Sequence, residues 1–177
     1  MNLANRITIL RILLIPFFIA FILYSRWEIA LAIFIAAAIS DGIDGYIARV
    51  MKQKTKLGKM LDPVADKLLL LSAFICLSVV SGLPAEAKPP LYVPIIIISR
   101  DAFIVLGVLF IYFIKGDVEI KPTPVSKVTT FFQMITVVSI LLRLAISPFL
   151  WNITVGFTIA SGVDYIIKGS RLLNGPR

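Results

Sequence analysis

Long apolar stretches recur along nearly the whole chain, separated by short polar segments or segments that contain proline and glycine. A helix needs about 20 consecutive, mostly apolar residues to cross a bilayer. The pattern predicts six such spans, at residues 8–24, 29–49, 60–81, 91–114, 125–146 and 149–167. We therefore expect an all-α integral membrane protein with six transmembrane helices, forming a single membrane domain over residues 1–177.

The N-terminal stretch mixes apolar and basic side chains, which is typical of a segment that lies along the membrane surface. Residues 2–11 could therefore form a short interfacial helix before the first span. The first span contains Pro16, has no small-x-small cleavage motif and runs into bulky, charged residues. We expect it to be retained and not removed as a signal peptide.

Composition agrees with lipid as the solvent, because 59% of the 177 residues are hydrophobic and only 16% are charged, against roughly 25% in ordinary soluble domains. The net charge of +8 comes from basic residues between the apolar stretches and not along one polar face, so we do not expect nucleic acid as a partner. Histidine is absent and Cys76 is the single cysteine, which excludes the usual zinc sites and an intramolecular disulfide.

The basic residues indicate the orientation of the chain, because cytoplasmic loops of membrane proteins are enriched in lysine and arginine. Arg26 and Lys88 are the only basic residues in the loops predicted on the opposite side. The two termini and the two basic loops are therefore predicted to be cytoplasmic, in a multi-pass protein of the cytoplasmic (inner) membrane. The basic residues on the predicted cytoplasmic side are Arg6, Arg11, Arg49, Lys52, Lys54, Lys56, Lys59, Lys115, Lys121, Lys127, Lys168, Arg171 and Arg177.

Four of the ten acidic residues lie at the predicted cytoplasmic ends of spans two and three: Asp41, Asp44, Asp62 and Asp66. Spacings of three and four residues place each pair on one side of a helix. Two like charges about 4 Å apart repel by roughly 4 kcal/mol at an effective dielectric constant near 20, and burial near lipid adds a desolvation cost. We therefore expect these carboxylates to bind divalent cations. Oxygen ligands favour Mg²⁺ or Mn²⁺, and two ions could hold a diphosphate between them.

The same aspartates belong to a longer pattern, D-x-x-D-G-x-x-A-R, eight residues, then G-x-x-x-D-x-x-x-D. It is filled without substitution by Asp41, Asp44, Gly45, Ala48, Arg49, Gly58, Asp62 and Asp66. This pattern resembles the motif of the CDP-alcohol phosphotransferase family. The resemblance implies that an acceptor alcohol attacks the phosphate of CDP-diacylglycerol and that CMP is released.

The resemblance also implies a role for each matching residue. The four aspartates would hold the metal ions, and Asp66 is the candidate general base for the acceptor hydroxyl. Further residues would line the CDP pocket, three of them from an N-terminal stretch that resembles the start of bacterial phosphatidyltransferases, although helix capping and topology marking explain that stretch more simply. The predicted CDP-binding residues are Asn5, Thr8, Arg11, Gly45, Ala48, Arg49 and Gly58.

A second charged region points to the acceptor. Arg100 and Asp101 lie inside the fourth span, where charges are usually functional, with an internal ion pair as the alternative. Together with Lys121 and Lys127, Arg100 resembles the acceptor-phosphate region of glycerol-type transferases. Phosphatidylglycerophosphate synthases usually carry Arg-Glu at this place, whereas Arg-Asp resembles cardiolipin synthases. We expect glycerol 3-phosphate as the acceptor, with phosphatidylglycerol as the alternative.

Other classes of protein also place carboxylates in membranes. Intramembrane prenyltransferases use aspartate-rich helices with Mg²⁺, but they are typically longer and space their aspartates differently. A cation transporter subunit would distribute its acids through the membrane depth, whereas these four cluster at one end. The resemblance and the frequency of symmetric pairs among oligomers favour a homodimer.

Overall fold

The computed structural model describes the backbone of residues 3–50, 56–115 and 123–174, and the side chains of residues 9–40, 65, 67–107, 113 and 123–170. Within these ranges every regular element is an α-helix. In chain order the helices are α1 (Leu3–Leu23), α2 (Trp27–Val50), α3 (Lys56–Val79), α4 (Tyr92–Lys115), α5 (Pro124–Leu141) and α6 (Ser147–Asn174).

Each of these helices overlaps one predicted span, so the prediction of an all-α fold with six long helices is confirmed. Several helix ends differ from the prediction, among them those nearest the two termini. Residues 3–11 are not a separate interfacial helix, because α1 is continuous from Leu3. The last helix runs beyond residue 167 to Asn174. An ion pair of 2.9 Å between Lys168 Nζ and Asp164 Oδ2, one turn apart, stabilises this extension of the helix.

Helices α1 and α5 each end in the same type of backbone turn, one that usually contains glycine. Ser25 and Arg143 adopt left-handed φ angles of 55° and 54°. In α5 the N–H of Leu144 donates to the carbonyl of Ser139, and the N–H of Arg143 donates to that of Ile140. This pair of bonds satisfies carbonyls that a helix end leaves open. The turn ends α5 at Leu141, before the predicted end at residue 146. The sequence does not indicate this end, because no glycine marks the turn.

The helices form two groups that meet where α5 contacts α2 and α3 and where α4 contacts α3. Helix α1 packs against α2 and α3, α6 packs against α4 and α5, and α5 also contacts α2 and α3. Large apolar side chains fill the centre, including Phe18 and Phe34, whose ring centroids are 5.8 Å apart. Phe74, Val137 and Trp151 extend the same core into the other helices. The core therefore joins both groups.

At the end of the bundle where α2 begins, three connections converge on Trp27, which is buried. Gly82 adopts a φ of 101°, and a Cβ at this position would lie 3.2 Å from Ser25 Oγ and 3.7 Å from the indole of Trp27. The guanidinium of Arg143 lies over the same indole, 5.3 Å from the ring centroid. The left-handed backbone therefore favours glycine at residue 82, and a larger side chain would also crowd the hydroxyl of Ser25.

Large apolar side chains also cover the outside of the bundle. Phe17, Phe103 and Phe149 are each at least 60% exposed, which is unusual for a protein surrounded by water. Within the described residues, two helical segments, Pro124–Leu141 and Ser147–Ser170, are long and apolar enough to cross a bilayer. Shorter apolar helical stretches are Ile9–Leu23, Trp27–Ser40 and Lys67–Val79. The exterior is therefore suited to lipid.

Candidate active site

Both halves of the aspartate motif lie on helices. Residues 41–49 belong to the last turns of α2, residues 58–66 to the first turns of α3, and the two helices contact each other. Spacings of three and four residues therefore correspond to about one helical turn. The predicted residues whose side chains lie outside the described ones are Asn5, Thr8, Asp41, Asp44, Gly45, Ala48, Arg49, Gly58, Asp62 and Asp66, and Lys121 lies outside the described residues altogether. Their roles in metal, nucleotide and acceptor binding stay predictions.

Arg100 lies on α4 and is almost fully buried between three helices, with 7% of its side chain exposed. Its Nη1 donates to Asp101 Oδ1 at 2.6 Å, and its Nη2 donates to Ser126 Oγ of α5 at 2.7 Å and to Ser161 Oγ of α6. A buried guanidinium is costly unless its charge is paired and its donors are bonded. Arg100 therefore ties α4, α5 and α6 together at one point.

Residues of α6 also shape the surroundings of this guanidinium. Tyr165 places its ring under Arg100, with 5.8 Å between the guanidinium carbon and the ring centroid, within the range of a cation–π contact. Gly162 packs beside the stem of the arginine, where a Cβ would lie at an ordinary contact distance of 3.7 Å from Arg100 Cγ. The orientation of the guanidinium is thus defined from several sides.

Asp101 connects Arg100 to the helix that carries the second half of the motif. The carboxylate oxygen that accepts from Arg100 also lies 3.4 Å from Nζ of Lys67 on α3. Lys67 follows Asp66 directly in the chain. The ion-pair network therefore reaches from the buried arginine to the helix α3 residue that follows the last motif aspartate. We call Arg100, Asp101, Lys67, Ser126 and Ser161 the Arg100 cluster.

The cluster agrees only partly with the predicted acceptor residues. Arg100 is at its centre, and Lys127 is exposed on the first turn of α5, next to Ser126. Sequence reasoning missed Ser161, Tyr165 and Lys67 as contributors. A serine and a tyrosine in an apolar helix give no local signal, and a lysine near a membrane surface is common.

Arg11, predicted to contact CDP, lies inside α1 and is only 1% exposed. A side chain that served only as a topology marker would reach water at the membrane surface. Burial instead places Arg11 among the helices. This position is compatible with a role inside the protein and leaves nucleotide contact as a prediction.

A family model described as CDP-alcohol phosphatidyltransferase matches residues 1–161. The chain belongs to this family. The match includes the complete aspartate motif and every residue of the Arg100 cluster. Membership in the CDP-alcohol phosphatidyltransferase family decides against the intramembrane prenyltransferase and the cation transporter subunit.

Relatives of known name fall into two groups within this CDP-alcohol phosphatidyltransferase family. The chain is 36% identical to a CDP-diacylglycerol–glycerol-3-phosphate 3-phosphatidyltransferase of Bacillus subtilis, with 94% of each chain covered. It is 31% identical to a probable phosphatidylglycerophosphate synthase of Mycobacterium tuberculosis, covering 99% of this chain and 85% of the relative. It is also 32% identical to a cardiolipin synthase (CMP-forming) of Rattus norvegicus, covering 94% of this chain and 61% of the rat protein.

Proposed function

We propose that this chain transfers the phosphatidyl group of CDP-diacylglycerol to glycerol 3-phosphate, forming phosphatidylglycerophosphate and releasing CMP. The observation that carries this proposal is the ion-pair network that joins Arg100, through Asp101 and Lys67, to the turn of α3 that holds Asp66. This network supports the proposal that a cationic group for the acceptor phosphate is near the predicted reaction centre. The similarity to the Bacillus subtilis and Mycobacterium tuberculosis proteins supports the same acceptor.

On the donor side, Asp41, Asp44, Asp62 and Asp66 would hold divalent metal, Mg²⁺ or Mn²⁺, with two ions the favoured number. Carboxylates without imidazole or thiolate ligands are the donor set that these cations prefer. When bound, the metal neutralises negative charge on the diphosphate. Asp66 would accept the proton of the attacking hydroxyl, and the residues proposed to line the CDP pocket are Asn5, Thr8, Arg11, Gly45, Ala48, Arg49 and Gly58.

On the acceptor side, Arg100 would attract the phosphate of glycerol 3-phosphate together with Lys121 and Lys127. Arginine suits this role because its planar donors match phosphate oxygens. The contacts of Arg100 with Ser126, Ser161 and Tyr165 leave its charge in place but fix its direction. Preorganised charge of this kind aligns an acceptor without a reorganisation cost at the moment of reaction.

We further propose that the chain is a single domain in the bilayer, with six membrane-spanning helices and with both termini and the active site on the cytoplasmic side. The apolar exterior and the distribution of basic residues support this arrangement. The cytoplasmic (inner) membrane is the expected location, and a homodimer is the expected assembly.

A second acceptor has support of its own. The Arg100-Asp101 pair and the similarity to the rat cardiolipin synthase favour phosphatidylglycerol, which would give cardiolipin. Both acceptors carry a glycerol hydroxyl and a phosphate, so the same cluster could serve either. The two differ in the charge of the phosphate, since glycerol 3-phosphate is a monoester and phosphatidylglycerol a diester.

The product distinguishes these functions. Purified enzyme is incubated with labelled CDP-diacylglycerol and Mg²⁺, with either glycerol 3-phosphate or phosphatidylglycerol, and the lipids are separated by chromatography. We expect phosphatidylglycerophosphate with the first acceptor and little cardiolipin with the second. If cardiolipin is the only product, phosphatidylglycerol replaces glycerol 3-phosphate as the acceptor. If neither acceptor leads to release of CMP, the glycerol-type function is rejected.

A further inference from the structure

The Arg100 cluster contains two cations that share one carboxylate oxygen. Oδ1 of Asp101 lies 2.6 Å from Nη1 of Arg100 and 3.4 Å from Nζ of Lys67. Lys67 and Asp101 are 42% and 21% exposed, whereas Arg100 is 7% exposed. Lys67 is therefore on the most open side of the cluster, and a ligand would approach from that side.

Both cations keep donors that Asp101 does not use. Nε of Arg100 is buried and has no hydrogen-bond partner among the described residues. A lysine ammonium has three N–H donors, and in the described part of the chain Asp101 is the ion-pair partner of Lys67. The buried Nε of Arg100 lacks a partner among the described residues, and the N–H donors of the more exposed Lys67 that Asp101 leaves unused are open to an anionic oxygen.

We infer that Asp101 determines which class of phosphate the acceptor site takes, because its carboxylate oxygen occupies the place between Lys67 and Arg100 that an acceptor phosphate oxygen would otherwise take. This inference rests on the proposed function. A phosphomonoester carries about −1.5 to −2 charge at neutral pH, whereas a diester carries a single charge. The carboxylate therefore weakens the binding of glycerol 3-phosphate more than the binding of phosphatidylglycerol. It thereby reduces the difference in affinity between the two acceptors.

Asp101→Asn tests this inference, because an amide oxygen can still accept from both cations while the negative charge is removed. We expect the KM for glycerol 3-phosphate to fall by about twofold to fivefold, the range in which charge pairs of this kind act, with a smaller fall for phosphatidylglycerol. Asp164→Asn is the matched control, since Asp164 forms an ion pair with Lys168 on α6 and carries the same charge.

Binding of inorganic phosphate gives a readout that does not depend on turnover. Isothermal titration of the purified enzyme, without CDP-diacylglycerol, compares the wild type, Asp101→Asn and Asp164→Asn. Tighter phosphate binding in Asp101→Asn alone supports the inference. Unchanged or weaker binding in Asp101→Asn, or equal tightening in both variants, overturns it. A wild-type enzyme that makes no product with either acceptor would reject the proposed function, while the phosphate titration would still decide the role of Asp101.

Lys67→Met covers the case in which Asp101→Asn does not fold. This variant removes the more exposed of the two cations and keeps a side chain of similar length. The inference expects weaker phosphate binding and a higher KM for glycerol 3-phosphate, with a smaller change for phosphatidylglycerol. Phosphate binding equal to that of the wild type would overturn the inference, because Lys67 would then not contribute to the site.

Discussion

Two groups of polar side chains involve α5 and α6, and they differ in burial, in charge and in hydrogen bonding. The first is a set of hydroxyls between the two helices, which we call the hydroxyl seam: Thr129, Thr136, Ser139, Thr154 and Thr158. Each of these hydroxyls has a partner within the helix pair. The second is the Arg100 cluster, which is charged, opens toward Lys67 and leaves the Nε donor of Arg100 unbonded within the described residues.

The difference indicates that the hydroxyl seam serves helix packing and that the Arg100 cluster serves ligand binding. Neutral hydroxyls that bond backbone carbonyls or one another are common between membrane helices, where small residues allow close approach. A buried arginine with an open donor is costly and is expected where a ligand completes the site. Substitutions in the aspartate motif and in the Arg100 cluster should therefore lower activity. Substitutions in the hydroxyl seam should lower stability.

The largest effect is expected for Asp66→Asn. Removing the proposed base and metal ligand should lower CMP release from CDP-diacylglycerol by about a thousandfold or more, while thermal unfolding and detergent behaviour stay those of the folded wild type. Single-turnover CMP release with saturating acceptor measures it. Turnover near the wild-type rate would reject Asp66 as the base and would weaken the assignment of the motif end as the reaction centre.

Arg100→Lys should have the next largest effect. Lysine keeps the positive charge but cannot make the three bonds of Arg100 to Asp101, Ser126 and Ser161 from one nitrogen in the same geometry. We expect kcat/KM for the acceptor to fall by about tenfold to a hundredfold, with little change in the KM for CDP-diacylglycerol. Steady-state kinetics with each substrate varied in turn measures this.

Arg143→Lys is the control for this change. Arg143 also contacts an aromatic ring, that of Trp27, but at the opposite end of the bundle. Its replacement should leave both KM values unchanged. Equal losses in the two variants would mean that arginine supports the fold in general and that the Arg100 cluster has no special part in acceptor binding.

These contrasts also explain how much could be predicted from the sequence. The six helices follow from apolar length, because a bilayer imposes one length on every span. Arg100 was found because a charge inside an apolar helix stands out. Ser161 and Tyr165 were missed because ordinary side chains acquire their role only from contact across α4 and α6. The early end of α5 was missed because Arg143, and not glycine, takes the left-handed turn.

The smallest effect is expected in the hydroxyl seam. Thr136 and Thr154 are fully buried, and their hydroxyl oxygens are 2.7 Å apart. Replacing either with valine keeps the shape, removes the bond and leaves one hydroxyl without this partner. Each single variant should lower the free energy of unfolding by about 0.6 to 1.5 kcal/mol, measured by unfolding in mixed detergent micelles, with phosphatidyl transfer unchanged.

The double variant sharpens the test. Thr136→Val with Thr154→Val replaces both partners by apolar groups of the same shape, which can be nearly neutral because no unbonded hydroxyl remains. Its loss of stability should therefore be smaller than the sum of the two single losses. Reduced transfer without reduced stability in any of the three variants would contradict the distinction between the regions, because the hydroxyl seam would then take part in catalysis as the Arg100 cluster is proposed to do.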